Sequence, residues 1–176
     1  MIPVTQIAAL TDNPKVIAAL SDILVEVVAN GGSVSFMHPL AHEVAANFWK
    51  DSLTRAASGA RVVLGAWEGE DLIGTVTLDL AAPPNQRHRA EVAKLMTRVG
   101  RRGRGVARGL MLEAERLAVE RGRTLLVLDT AADGGAAGLY EGLGYHRVGV
   151  IPGYALKPHG GLSGTIIYFK QIGPAT

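Results

Sequence analysis

A loop rich in arginine and glycine lies in the middle of this chain and has the composition of an anion-binding site. Five arginines and three glycines fall between Arg98 and Arg108. Glycines let backbone N–H groups converge on a ligand, because no Cβ blocks the approach or restricts the dihedral angles. An apolar, β-rich run precedes the loop, and a helical pattern that begins at Val106 follows it. A strand, a glycine loop and a helix N-terminus in this order predict a cradle for phosphate.

Two common phosphate-binding motifs do not match this loop. The Walker motif requires Gly-Lys-Ser/Thr, and the loop contains no lysine. The loop matches the first two glycines of the dinucleotide fingerprint G-x-G-x-x-G with Gly103 and Gly105, but it has Arg108 in place of the third glycine. On this segment alone, an ordinary turn between a strand and a helix remains the alternative.

Length and composition favour one globular domain over residues 1–176. The chain has 48% apolar and 19% charged residues, which is typical of a packed core rather than of disorder. It contains no cysteine, which excludes disulfides, thiolate metal ligands and a cysteine nucleophile. The five histidines lack metal-site spacing, so no metal is expected.

Charge and hydropathy also limit the classes of partner that the sequence predicts. The net charge is only +2, and the basic loop is short and lacks interleaved aromatic residues, so a nucleic-acid partner is not expected. The N-terminus lacks a basic start with an unbroken apolar core, and no run reaches the roughly 18 apolar residues of a membrane span. The sequence therefore predicts a cytoplasmic protein with no membrane partner.

The order of predicted elements is that of an α/β protein in the broad sense, which includes α+β. Helices are expected at 14–30, 39–58, 106–121 and 136–143, where apolar residues recur at helical spacing between capping and stop signals. Strands are expected at 2–7, 61–67, 72–80, 89–97, 124–129, 145–151 and 165–170. A hairpin in the middle and alternating elements later predict a mixed sheet covered by helices.

Two motifs together resemble those of the GCN5-related N-acetyltransferase (GNAT) superfamily. Arg102 to Ala107 fits R/Q-x-x-G-x-G/A, and Ala136 to Tyr145 fits A-x-x-L-Y-x-x-x-G-F/Y at the expected distance. The resemblance implies a mixed, mostly antiparallel sheet of about seven strands with helices on both faces. It also implies acetyl-CoA as the cofactor, with its pyrophosphate on the backbone N–H groups of the loop, and an acetyltransferase activity.

A narrower resemblance concerns the tabtoxin-resistance acetyltransferases, which acetylate the amine of a β-lactam toxin. It rests on Lys94-Leu95-Met96, on the segment from Val148 to Leu156, and on Ile167 to Lys170. This resemblance implies direct transfer to the amine of a small molecule, such as a toxin or an antibiotic-like amino acid. The alternatives are a protein or peptide N-acetyltransferase and a non-catalytic acyl-CoA-binding protein. Dimers are frequent in the family, so a homodimer is also considered.

The family's cofactor contacts carry over to one segment of a predicted strand, the glycine loop and two later positions. Asp133 stands where the family usually has asparagine, so a side-chain contact with the cofactor is expected to be lost or altered. The expected cofactor-binding residues are Leu95, Met96, Thr97, Arg102, Gly103, Arg104, Gly105, Val106, Ala107, Arg108, Asp133 and Tyr140.

Acetyl transfer from a thioester to an amine needs a base, an oxyanion donor and an acid. The resemblance assigns the donor to a backbone N–H of the pantetheine-binding strand, for which Met96 is our choice, and the acid to Tyr140. For the base we choose Glu91 and Asp129. Strand alternation places Glu91 on the same face as Leu95, and Asp129 ends an apolar strand, where a partly buried carboxylate can take a proton.

Each of these catalytic candidates also has a purely structural interpretation. Tyr140 can pack a short helix, Glu91 can pair with a neighbouring arginine, and Asp129 can cap the following turn. In the family the first two helices often line the acceptor pocket, so Trp49 is considered as a wall residue, with Tyr154 on the opposite side.

Overall fold

A single twisted sheet organises the part of the chain that the structure describes. This computed structural model describes residues 5–173. Within that range the strands are β1 (Thr5–Ala9), β2 (Arg61–Glu68), β3 (Asp71–Asp79), β4 (Arg89–Thr97), β5 (Leu125–Ala131), β6 (His146–Leu156) and β7 (Leu162–Gln171). Their order across the sheet is β1-β2-β3-β4-β5-β7-β6. Only β4 and β5 pair in parallel; the other neighbours are antiparallel.

Helices cover both faces of the sheet. They are α1 (Pro14–Ala29), α2 (His42–Ala57), α3 (Val106–Glu120) and the short α4 (Ala137–Gly142). On one face α1 and α2 bury a core that includes the fully enclosed Trp49. On the other face α3 and α4 pack on a second core, which contains Leu110 and Tyr168. The mixed, mostly antiparallel sheet with helices on both faces confirms the predicted fold class.

The capping signals predicted some boundaries well and others less well. The helix α1 begins at Pro14 as expected, and Asn13 caps it: its Oδ1 accepts the backbone N–H of Lys15 at 2.8 Å. The predicted start of α2 at Pro39 is wrong, since the helix begins at His42. The residues before the helix instead contact the turn between β6 and β7, where the backbone N–H of His38 donates to Pro158 O at 2.9 Å.

The terminal strands also differ from their predicted bounds. The first strand, expected at 2–7, runs over Thr5–Ala9, and residues 2–4 lie outside the described residues. β6 and β7 are longer than expected, because their pairing resumes after a bulge and continues to Leu156 opposite Leu162. None of the described helices is both long enough and apolar enough to cross a membrane.

A bulge in β4 and an opening beside it set up the site. The parallel ladder between β4 and β5 contains three pairs and ends at Glu91 opposite Val127. Beyond this pair Lys94 has a φ of 53°, and the register with β3 shifts. Val92 packs in the core under α3, whereas Met96 packs in the core under α1 and α2. An extra residue thus reverses which face the later side chains occupy.

Candidate active site

The opening between β4 and β5 leads into a cavity of about 800 Å³. Leu95, Met96 and Thr97 line it from β4, and Thr130 and Ala131 line it from β5. Because the two strands share no ladder here, the backbone polar groups that they direct towards the opening are accessible to a ligand that enters between them. The cavity is therefore lined by both strands at the place where their pairing has ended.

The predicted glycine loop lies at one end of this cavity. Gly103 and Gly105 have φ values of 73° and 81°, in the left-handed region that favours glycine. Gly105 is the N-cap of α3 and provides no side-chain cap, and the first helical hydrogen bond runs from Gly109 N to Gly105 O at 3.0 Å. The first-turn amides before Gly109, which line the cavity, therefore have no acceptor within the helix. This helix end is suited to bind an anion.

Acidic side chains hold most of the loop's arginines. Arg98 pairs with Glu26 at 2.9 Å, while Arg101 and Arg104 lie 2.8 and 3.4 Å from the two oxygens of Glu68. In the described part of the chain Arg102 forms no such ion pair, and it lines the cavity. Arg102 is therefore available to neutralise a bound phosphate.

The structure brings nearly all of the expected cofactor-binding residues together. Those that line the large cavity are Leu95, Met96, Thr97, Arg102, Gly103, Gly105, Val106, Ala107, Arg108, Asp133 and Tyr140. Arg104 is outside this set, because its guanidinium turns towards Glu68. Their roles in binding stay predictions.

One part of the cavity wall was missed by the sequence analysis. The residues after α1, from Asn30 to Val34, line the same cavity, as does Lys157 from the turn between β6 and β7. In the sequence, Gly31-Gly32 indicated only the end of a helix. The small and polar residues that follow this apolar helix were the one feature that could have indicated a cavity lining. Only the tertiary fold brings this run opposite the opening in the sheet.

Asp133, the departure from the family's asparagine, is engaged within the protein. Its Oδ1 accepts a hydrogen bond from Ser163 Oγ at 2.7 Å, and its Oδ2 lies 3.4 Å from Lys157 Nζ. The Ser163 hydrogen bond, and then Lys157, lower the pKa of the Asp133 carboxyl. Its carboxylate is thus tied to the β6–β7 hairpin at the rim of the cavity.

A second, smaller cavity adjoins the first. Its volume is about 190 Å³. Six residues line both cavities: Ser33, Val34, Leu95, Thr130, Ala131 and Tyr140. Lys94, Asp129 and Tyr154 line only the smaller one, whereas Trp49, considered as a wall residue, is buried in the core. The two cavities therefore meet at the opening in the sheet.

Tyr140 stands where the cavities meet. Only 6% of its surface is exposed, and its ring packs 5.6 Å from that of Tyr168. Burial raises the pKa of the Tyr140 hydroxyl to about 12; the charge of Asp129 acts in the same direction, and the Thr130 side chain opposes it. The phenol consequently keeps its proton across the neutral range and can act as a donor.

The two carboxylates considered as bases are placed differently. Asp129 lines the smaller cavity and accepts a hydrogen bond from Thr165 Oγ1 at 2.7 Å. Glu91 is exposed and lies outside the residues that line either cavity. The expected alternation of Glu91 with Leu95 is wrong, because the bulge at Lys94 separates them: Leu95 packs with Val92 and the α3-side core.

Comparisons with known proteins agree with this architecture. The model of the acetyltransferase (GNAT) family matches residues 30–145. N-acetyltransferase 8B of Rattus norvegicus is 31% identical over 117 residues, which are 65% of this chain and 51% of that protein. The chain thus spans about half the length of this curated relative.

Solved structures share the fold over almost the whole chain. An N-acetyltransferase from Staphylococcus aureus Mu50 has a TM-score of 0.80 at 16% identity, covering 96% of this chain and 99% of that one. The structure of yncA from Salmonella typhimurium with its cofactor acetyl-CoA has a TM-score of 0.78 at 16% identity, covering 96% and 95%. With the family model matching most of the chain, this protein belongs to the GNAT family of acetyltransferases.

Proposed function

We propose that this chain is an N-acetyltransferase that moves the acetyl group of acetyl-CoA directly to the amine of a small molecule. The observation that carries the proposal is the meeting of two cavities at Tyr140, through the opening between β4 and β5. A large cavity with an anion-binding end suits a nucleotide thioester, and a small one suits an acceptor. Because the chain has no cysteine, transfer without a cysteine-bound intermediate is the simpler route.

The residues of the large cavity fit the cofactor. The first-turn amides of α3 and the side chain of Arg102 suit its diphosphate, and the backbone from Leu95 to Thr97 suits its pantetheine arm. When bound there, acetyl-CoA supplies an acetyl group activated as a thioester. Asp133, whose carboxylate is already engaged by Ser163, is expected to contribute less than the family's asparagine does.

Three groups of this chain then serve the transfer. Asp129 takes a proton from the acceptor amine, directly or through water. We chose the backbone N–H of Met96 as the donor to the carbonyl oxygen, but Met96 pairs with Thr75 of β3 in the same phase as the hydrogen bond from Arg98 N to Ile73 O, so its N–H faces β3. The N–H of Leu95 or Thr97, which faces the opening, is the donor instead, and such a donor typically contributes about 3–4 kcal/mol to transition-state stabilisation. The Tyr140 hydroxyl gives its proton to the departing sulfur; its raised pKa of about 12 means that the proton is present at neutral pH.

The size of the acceptor cavity favours a small molecule over a peptide. A volume of about 190 Å³ is below the range of ordinary drug-sized sites, and Tyr154 borders it from the β6–β7 hairpin. A toxin or an antibiotic-like amino acid, as the tabtoxin-resistance enzymes use, is of suitable size. A protein or peptide acceptor would need an open groove, and a non-catalytic acyl-CoA-binding protein would not need Asp129 beside Tyr140.

The proposal is tested by release of free thiol from acetyl-CoA in the presence of a panel of small amines. Asp129→Asn is expected to lower kcat by about 100-fold or more, because it removes the base. Glu91→Gln is the matched control and should stay within about twofold of the parent. Acetylation of peptides in preference to small amines would favour a protein or peptide N-acetyltransferase. Binding of acetyl-CoA without transfer to any amine would favour a non-catalytic acyl-CoA-binding protein.

Three broader expectations belong to the same proposal. Residues 1–176 act as one acetyltransferase domain, which the continuity of the sheet from Thr5 to Gln171 supports. The protein acts in the cytoplasm, without a nucleic-acid or membrane partner. It forms a homodimer through the exposed edge strand β6.

A further inference from the structure

The acceptor cavity contains a cation that the acetyl transfer does not use. Lys94, at the bulge of β4, lines this cavity together with Asp129. Its Nζ donates a hydrogen bond to Ser35 Oγ at 3.2 Å and lies 5.6 Å from the centre of the Phe48 ring. No carboxylate in the described part of the chain lies within ion-pair distance of this ammonium group, whereas Lys157 and Lys170 each pair with a carboxylate.

The backbone is strained at both ends of the Lys94–Ser35 hydrogen bond. Among the described residues, Ser35 and Lys94 are the two non-glycine residues with positive φ, at 75° and 53°. A left-handed conformation is unfavourable for a residue with a Cβ. Such strain persists where the surrounding structure enforces it and is concentrated at ligand sites. Here both strained residues line one small cavity.

The charge of Lys94 lacks full compensation. Burial, and then the nearby guanidinium of Arg61, lower the pKa of Lys94; Asp129 and Glu91 act in the opposite direction without forming an ion pair with it. A ligand anion beside Nζ would supply the partner that the protein does not, and would do so in a partly desolvated place where a charged hydrogen bond is stronger.

A cation and an anion within a cavity of about 190 Å³ fit a ligand with the opposite pair of charges. An amine that approaches Asp129 and Tyr140 would place an acid group on the same small molecule within reach of Lys94 and Ser35. Amino acids and related compounds have this combination of charges.

We propose that Lys94 binds a carboxylate of the acceptor, so that the preferred substrates are small amines that also have a carboxylate. This inference rests on the proposed function, and it assigns Lys94 as a specificity-determining residue. Ser35 holds the Lys94 ammonium group in place.

The test compares amino acids with their decarboxylated amines. Serine is paired with ethanolamine and lysine with cadaverine, and kcat/KM is measured for each with acetyl-CoA. The parent protein should favour the amino acid by about tenfold or more, the usual effect of a charged hydrogen bond. Lys94→Met should abolish this preference by raising KM for the amino acid, with the decarboxylated amine unaffected. Lys94→Arg should retain part of it.

Two controls separate charge recognition from a structural role. Lys50→Met makes the same change at an exposed site on α2 and should keep the preference. Ser35→Ala removes the hydrogen-bond partner but leaves the charge, so it should weaken the preference only partly. The inference is overturned if the parent protein shows no preference and Lys94→Met lowers kcat/KM equally for the amino acid and for its decarboxylated amine. The proposed function would remain intact in that case.

Binding measurements decide the matter where turnover is slow. Calorimetric titration of serine and of ethanolamine into the protein loaded with coenzyme A should show tighter binding of serine, and Lys94→Met should remove the difference. Equal affinities in the parent protein would overturn the inference. Absence of acetyl transfer to every amine, with serine still preferred in binding, would instead count against the proposed function alone.

Discussion

At the scale of single residues, Gly105 has a backbone conformation that favours glycine. It is the N-cap of α3 with a φ of 81°, and a Cβ built there would meet no atom within 4 Å, because it would extend into open space. Gly105→Val is therefore expected to abolish coenzyme A binding by occupying the anion site. The measurement is calorimetric titration of coenzyme A, with circular dichroism to verify the fold.

A second glycine provides the matched control for backbone strain. Gly69, in the turn between β2 and β3, has a φ of 64° and equally open space around it. Gly69→Val should cost a similar free energy of unfolding, about 1–2 kcal/mol, and leave coenzyme A binding unchanged. Equal binding by the Gly105 variant and the Gly69 variant would contradict the assignment of the loop.

The protonation state of Tyr140 decides whether its hydroxyl can serve as the proposed acid. Since burial raises its pKa to about 12, the hydroxyl stays protonated well above pH 10, and alkaline loss of activity near pH 10 should not arise from this group. Tyr140→Phe is expected to lower kcat by about 100-fold, with little change in cofactor affinity, because the donor to the sulfur is lost. Steady-state kinetics across pH provide the measurement.

Tyr145 supplies the control for this substitution. Its ring lies 6.0 Å from that of Tyr140, but it is outside the residues that line either cavity. Tyr145→Phe should leave kcat within about twofold. Unchanged kcat in Tyr140→Phe would show that another donor protonates the sulfur.

At the scale of elements, α1 positions the loop that precedes α3. Glu26 near the end of α1 pairs with Arg98 at 2.9 Å and accepts the backbone N–H of Val99 at 2.7 Å. Glu26→Ala is expected to lower the free energy of unfolding by about 1–2 kcal/mol, because a charge-assisted pair of contacts is lost. It should also weaken coenzyme A binding severalfold, because the glycine loop begins at this anchor. Urea unfolding and calorimetry measure the two effects.

A loss of stability without any loss of affinity would mean that Glu26 only attaches α1 to the sheet. Glu70→Ala, in the exposed turn between β2 and β3, is the control and should change neither quantity.

The strands also explain why Glu91 and Asp129 are placed differently. A bulge in β4 removes Glu91 from the face of Leu95, whereas regular pairing of β5 with β7 keeps Asp129 at the acceptor cavity.

At the scale of the whole molecule, the sheet ends in an exposed apolar edge. In β6 the side chains of Val148, Val150, Ile151, Tyr154 and Leu156 are exposed, and the outer side of the strand has no partner among the described strands. Edges of this kind pair readily with another strand, and a second copy related by a two-fold axis offers an identical edge. We therefore expect a dimer, measured by light scattering after size-exclusion chromatography.

Val150→Lys is expected to shift this dimer to monomer, because it places a like charge on both sides of the two-fold axis. Val119→Lys is the matched control on α3: Val119 is 50% exposed and Val150 is 44% exposed. A monomeric parent protein, or equal dissociation in both variants, would contradict the use of β6 as the interface.

The sequence by itself determined the fold class, most element boundaries and the position of the anion loop. These depend on local signals, namely glycine at positive φ, capping side chains and the period of apolar residues, which need no knowledge of distant contacts. The family resemblance also pointed to the residues from Leu95 to Thr97 and to Tyr140, which line the large cavity; their roles stay predictions.

Only the tertiary structure decided which charges are free and which residues share a cavity. Glu68 and Glu26 engage three of the loop's arginines across large sequence separations, and no local pattern announces such pairs. The bulge at Lys94 reverses the alternation that had placed Glu91, because one extra residue exchanges the two faces of a strand. The approach of Ser35 to Lys94, 59 residues apart in the chain, likewise depends on how α1 and the sheet pack together.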